Sequence, residues 1–276
     1  MRRGRVNTGR NLPVAVASGV ALGALVLVSL FWEKSLFVGV MTAAFAISLW
    51  ELNRALTGRD IRIAVVPIAV GGVGILVGAY VGGAAALSGV LAMTFVAVML
   101  WRLPRGATGY VRDVAAGTFV TAYLPFLIAF WMLMLAATDG AERIITFIVV
   151  TICSDIGGYF AGIFAGRRKM APTISPKKTW EGFAGSTAAC MIGGALTVGL
   201  LLDGSYWQGA LLGVAIVCAA TLGDLIESMV KRDLGIKDMG RFLPGHGGLL
   251  DRLDSLLISG PVAWLMLTAF VPPVLP

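Results

Sequence analysis

The chain has 276 residues, 58% of them apolar and only 13% charged, with a net charge of +7 and a mean hydropathy of +0.87. That composition excludes an ordinary soluble domain and places the chain among polytopic membrane proteins. No polar stretch is long enough to bury a core of its own, so no soluble domain is expected beside the membrane part.

In chain order, the apolar runs predict about nine helical spans, an all-α fold, at roughly 13–31, 36–52, 63–81, 83–101, 114–137, 144–166, 183–202, 208–231 and 252–272. The N-terminal run is long for a signal peptide and no small-residue cleavage site follows it, so it reads as a first span. The second span is least apolar at its end, where Glu51 and Arg54 stand. Only Gly82-Gly83 divides the third span from the fourth. Gly74, Gly78 and Gly82 recur every four residues, as do Gly158, Gly162 and Gly166, a spacing that lets helices approach closely. Pro125 is expected to kink the fifth span. Cys153, Cys190 and Cys218 fall inside spans without a Cys-x-x-Cys pair and read as small apolar fillers.

Basic residues fix an orientation. With the N-terminus cytoplasmic, all of the 22 Lys and Arg but Lys34 and Arg143 fall in inner segments. The positive charge is therefore a topology signal that also favours anionic lipid, and it calls for no nucleic acid.

Polarity divides the chain near residue 143. Residues 1–143 form spans almost free of charge at their centres; residues 144–276 form a region in which ionisable groups gather. Asp155 stands mid-way along the sixth span, Asp224 and Glu227 in the inner half of the eighth, and Asp251 and Asp254 at the start of the ninth. A carboxylate within a membrane costs about 2.5–3.5 kcal/mol even on lenient scales, so each needs a partner or a purpose. Asp224, Glu227, Ser228 and Lys231 are spaced to share one helix face, as are Asp251, Asp254 and Ser255 on the next. Two such faces joined by a short loop suit a hard divalent cation. The loop itself, Pro244-Gly245-His246-Gly247-Gly248, could turn backbone N–H groups toward a phosphate. A second constellation, Ser175-Pro176-Lys177-Lys178-Thr179, offers hydroxyls and ammonium groups suited to phosphate oxygens.

The run from Ser228 to Asp254 resembles the signature of the phosphatidate cytidylyltransferases: Ser-x-x-Lys-Arg, then Lys237-Asp238, then Pro-x-His-Gly-Gly, then Asp-Arg-x-Asp. Ser154-Asp155 to Gly166 and Ser175 to Gly182 resemble that family too. The resemblance covers about residues 150–260. It implies transfer of a cytidylyl group from CTP to phosphatidate, a Mg²⁺ site with K⁺ nearby, and a homodimer in the cell (inner) membrane whose active site faces the cytoplasm. With the spacing, it suggests Asp224 and Asp251 as metal ligands and Asp155, Lys177, Lys178, Lys231, Arg232 and His246 as catalytic groups. Ser175, Thr179, Ser228, Lys237, Asp238, Gly247, Gly248 and Arg252 would contact substrate. Another CTP-dependent lipid transferase or a lipid kinase is the nearest alternative. An ion or solute transporter would explain the carboxylates but leave both basic, glycine-rich loops without a role.

Overall fold

A computed structural model describes residues 12–240, 242 and 247–272, with side chains from Gly19 onward. Its helices are α1 (Leu12–Trp32), α2 (Lys34–Thr57), α3 (Val65–Arg102), α4 (Tyr110–Thr121), α5 (Leu127–Leu135), α6 (Gly140–Ala165), α7 (Trp180–Leu201), α8 (Tyr206–Asp233) and α9 (Leu250–Phe270). Among the described residues, seven helices are long and apolar enough to cross a membrane. The expectation of an all-α polytopic protein is met; the count of nine is not reached on that measure, for two local reasons. The described apolar part of α1, Gly19–Trp32, is short, and the two halves of α3, joined across Gly83, count as one element.

Yet α3 turns sharply within itself. Gly83 takes a φ of 63°, a left-handed conformation that suits a residue without Cβ. The two halves then fold back on each other. A Cβ on Gly71 would lie 2.3 Å from Thr94, one on Gly74 3.1 Å from Val90, and one on Gly78 3.6 Å from Ala86. In a straight helix Gly71 and Thr94 would be about 35 Å apart. The four-residue glycine spacing thus serves a close hairpin of the two halves.

At Pro125 the helix loosens into a π turn, Ala122–Phe126, that joins α4 to α5 in one continuous span. The proline ring cannot accept the ordinary ladder, and the wider turn absorbs it.

The C-terminal helices pack through small residues. Between α6 and α7 a Cβ on Gly157 would fall 2.7 Å from Gly185 O, and one on Gly185 2.2 Å from Ala161 Cβ. Between α7 and α8, one on Gly194 would fall 2.2 Å from Gly209 O. Between α8 and α9, one on Gly223 would fall 2.5 Å from Asp254 O. Backbones in such contact gain dispersion energy that lipid-facing leucines could not supply. Cys190 is buried in this seam, its thiol donating to Val150 O at 3.3 Å, while Cys153 is half-buried and Cys218 exposed; all three are free thiols.

The bundle has two chemically distinct ends. At one, Lys34 donates to Ala137 O (2.5 Å), and Arg143 binds Asp139 (2.7 Å) and Val271 O (2.7 Å). The two cations expected on the outer side therefore share an end. At the other, Arg59 donates to Leu234 O (2.9 Å), and Arg102 pairs with Asp113 (2.8 Å).

The polar segment after α6, expected to be a loop, is an antiparallel hairpin of β1 (Lys169–Ala171) and β2 (Ser175–Thr179), with Lys169 opposite Thr179 and Ala171 opposite Ser175. Glu181 fixes its base by accepting from the N–H groups of Arg167 (3.0 Å) and Arg168 (3.1 Å).

Candidate active site

The hairpin lays its strand β2 across the ends of α6, α7 and α8, and a cleft of about 210 Å³ opens between them. Asp155 and Tyr159 of α6, Lys177 and Lys178 of β2, Ser186 of α7 and Asp224 of α8 line it. Glycines at 158, 162 and 182 keep it open, because a Cβ at Gly158 would fall 2.6 Å from Ser186 Oγ. Lys178 forms an ion pair with Asp224 and approaches Thr221 O at 3.4 Å. The two constellations that lie 46 residues apart in sequence thus meet in one ion pair. Lys177 is exposed at the cleft and makes no ion pair among the described residues.

Thr179, expected to contact substrate, is buried and accepts from the N–H of Gly182 (3.1 Å). It caps the N-terminus of α7 in the usual way of a threonine at that position. Ser175 sits at the turn end of the hairpin, opposite Ala171 and away from the cleft lining.

A second polar centre lies beside the first. Lys231 Nζ bridges Glu227 Oε2 (2.5 Å) and Asp251 Oδ1 (2.9 Å), tying α8 to α9. The other oxygen of Asp251 accepts from the N–H groups of Met239 (2.9 Å) and Gly248 (3.0 Å). Both groups expected to meet metal or phosphate, Asp251 and Lys231, are therefore held by protein partners. Gly248 is required for this closure: a Cβ there would fall 2.7 Å from Gly240 N and 2.9 Å from Glu51 Oε2. Gly247 enters the turn at a φ of 92°. The N–H of Gly248, expected to face a phosphate, donates to Asp251.

Sequence reasoning missed Glu51. It is 1% exposed, and its two oxygens accept from the N–H groups of Leu249 (3.1 Å) and Leu250 (3.0 Å). A carboxylate from α2 thereby caps α9, whose first turn carries unpaired donors and a positive dipole end. The signal was present as a carboxylate in an otherwise apolar span, but a partner 198 residues away cannot be read from spacing.

Glu227 is fully buried; among the described residues no hydrogen bond of ordinary geometry reaches its Oε1 or the buried hydroxyl of Tyr123, though the Asp254 carboxyl approaches Glu227. Both stand within electrostatic reach of Asp254, and Asp224 links that group to Asp155. Hard oxygen donors around an unsatisfied buried carboxylate fit a cation. Among the described residues, no three His, Cys, Asp or Glu side chains are placed to hold a metal together. The residues that could hold a cation are then single carboxylates, Asp155 and Asp224 of the cleft among them, and Mg²⁺ commonly takes only one or two carboxylates beside phosphate and water.

The remaining predicted residues are more scattered. Ser228 is half-buried on α8, and Arg232 is exposed on its last turn. Lys237 and Asp238 are exposed in the loop before α9 and line a separate cleft of about 490 Å³ with Trp50 and Arg54 of α2. Arg252 is exposed on α9 and lies within electrostatic reach of Asp155. His246 lies outside the described residues.

Phosphatidate cytidylyltransferases of Mycobacterium leprae and Mycobacterium bovis are each 39% identical to the chain, covering 97% and 94% of it and 92% and 89% of their own lengths. A phosphatidate cytidylyltransferase of Brucella suis is 40% identical over 50% of this chain and 51% of its own. With the sequence pattern of the cytidylyltransferase family matching residues 13–270, the chain belongs to that family.

Proposed function

We propose that the protein transfers the cytidylyl group of CTP to phosphatidate, giving CDP-diacylglycerol and pyrophosphate for phospholipid synthesis. The observation that carries the reading is the cleft in which Lys177 and Lys178 meet Asp155 and Asp224 at the basic end of an apolar bundle. The relatives named for this reaction support it.

A phosphate oxygen of phosphatidate attacks the α-phosphorus of CTP. The bond from that phosphorus to the bridging oxygen breaks, and pyrophosphate leaves with its electron pair. Such a transfer needs charge neutralisation and in-line alignment more than a strong base. Lys177 and Lys178 would hold CTP phosphates, with Lys178 steered by Asp224. Arg232 and Arg252 would meet phosphate at the rim. Asp251 and Glu51 set the start of α9, so their part is to position Arg252. Asp224, with Asp155 beside it, would hold Mg²⁺, which supplies charge neutralisation on the nucleotide phosphates when bound. A monovalent cation such as K⁺ would suit the unsatisfied oxygens of Glu227 and Tyr123. The basic end faces the cytoplasm of the cell membrane, where CTP is soluble and the lipid enters from the leaflet, and the working unit is a homodimer; nucleic acid has no part.

The test is incubation of purified protein with CTP, phosphatidate and Mg²⁺, with mass spectrometry of the lipid fraction. CDP-diacylglycerol that forms and ceases with EDTA supports the proposal; none from folded protein refutes it.

A further inference from the structure

A third cavity, of about 460 Å³, lies between α1, α2 and α9, with Trp131 of α5 and Ile148 of α6 also on its wall, and is lined almost wholly by apolar side chains. Its volume falls within the usual range for small-ligand sites, about 300–1,000 Å³. Along α2 the lining runs from Ile47 to Phe37, about 15 Å at the helical rise. That matches half of a hydrocarbon core of about 30 Å, the depth of one leaflet. One lining residue is charged: Arg252, at the end of the cavity nearest the start of α9. Arg252 lies within electrostatic reach of Asp155, a residue of the polar cleft. The indole N–H of Trp131, also on the lining, has no hydrogen-bond partner among the described residues.

We infer that this cavity holds an acyl chain of the phosphatidate substrate, with Arg252 at the junction between chain and phosphate. The inference rests on the proposed cytidylyl transfer. Three features select this occupant: a depth of one leaflet, an apolar wall, and a single lining cation, Arg252, within electrostatic reach of Asp155. A soluble nucleotide would find only Arg252 and the indole N–H of Trp131 as polar partners in an otherwise apolar wall. A second protein helix would need a wider groove than one chain's depth and volume provide.

The wall can be changed without disturbing the core. A Cβ on Gly23 of α1 would meet nothing within 4 Å, and Ala43 of α2 is exposed to the cavity. Gly23→Phe and Ala43→Phe would therefore fill it. In each variant the KM for phosphatidate with eighteen-carbon chains is expected to rise at least about tenfold, the scale on which a filled apolar pocket discriminates. The KM for a phosphatidate with six-carbon chains, and that for CTP, should stay as in the unchanged protein. An unaltered long-chain KM in both variants, or an equal rise for both chain lengths, overturns the inference. Phosphatidate carrying a photoreactive diazirine at its chain end, irradiated with the protein in vesicles without CTP, should label α1, α2 or α9, or the lining residues Trp131 of α5 and Ile148 of α6, in competition with phosphatidate. Label confined to other helices, or competed as well by phosphatidylcholine, also overturns it. Failure of the unchanged protein to make CDP-diacylglycerol from either chain length would count against the proposed reaction instead, because the labelling needs no turnover.

Discussion

Lys231→Met tests whether the bridge between α8 and α9 is a structural tie. Lys231 Nζ stands 2.5 Å from Glu227 Oε2 and 2.9 Å from Asp251 Oδ1, and the side chains of Glu227 and Asp251 are 0% and 5% exposed. Methionine keeps the length and packing of the lysine stem but removes the charge. Asp251 retains two backbone N–H donors, so most of the loss falls on Glu227, whose Oε1 has no hydrogen bond of ordinary geometry among the described residues. Removing one partner of a buried pair costs about 3–5 kcal/mol. Reversible unfolding in mixed micelles with rising SDS, followed by circular dichroism, should show a loss of that size. The double variant Lys231→Met with Glu227→Gln removes both charges and should recover most of it. A single variant within about 0.5 kcal/mol of the unchanged protein, the range of neutral surface substitutions, would refute the reasoning. So would a double variant no more stable than the single one.

Further outcomes follow from other contacts. Glu51→Leu strands the buried N–H groups of Leu249 and Leu250, at about 1–3 kcal/mol each, and Glu51→Gln should lose roughly half as much in the same unfolding titration. Gly194→Ala drives a Cβ to 2.2 Å from Gly209 O and should sharply lower the yield of monodisperse protein on size-exclusion chromatography, whereas Gly89→Ala, with nothing within 4 Å, should not. Lys178→Met and Asp224→Asn break an ion pair whose members are 24% and 28% exposed; they should keep the fold and lower kcat/KM about 10²–10³-fold, the usual effect of losing one charge-stabilising contact. Chelation with EDTA should abolish turnover and Mg²⁺ restore it, with an unchanged unfolding curve.

Much of this architecture was legible in the chain itself, because a membrane imposes long apolar runs and sorts basic residues to one side. The predicted breaks at Gly82-Gly83 and Pro125 appear as a tight reversal and a π turn, both consequences of local backbone chemistry. The division of roles within the polar cluster was less legible. Lys231, Asp251 and Thr179 read from sequence as ligand-binding groups; each also has a protein partner, a bridge, two backbone donors and a helix cap, and Thr179 lines the cleft as well. Residue type and spacing say that a charge is present near the membrane surface; they do not say whether a distant segment has already satisfied it. Glu51 shows the same limit from the other side. The hairpin at Lys169–Thr179 escaped notice because a short polar strand pair lacks the apolar alternation that marks a strand.

The measurement that bears most directly on the central claim compares two labels. Purified protein is given phosphatidate, Mg²⁺ and CTP carrying ³²P at either the α- or the γ-phosphorus. The account predicts lipid-bound label from the α position alone, with γ label released as pyrophosphate. Label in the lipid from the γ position would contradict it and identify a lipid kinase; label from neither, in folded protein, would contradict nucleotide transfer to this lipid altogether.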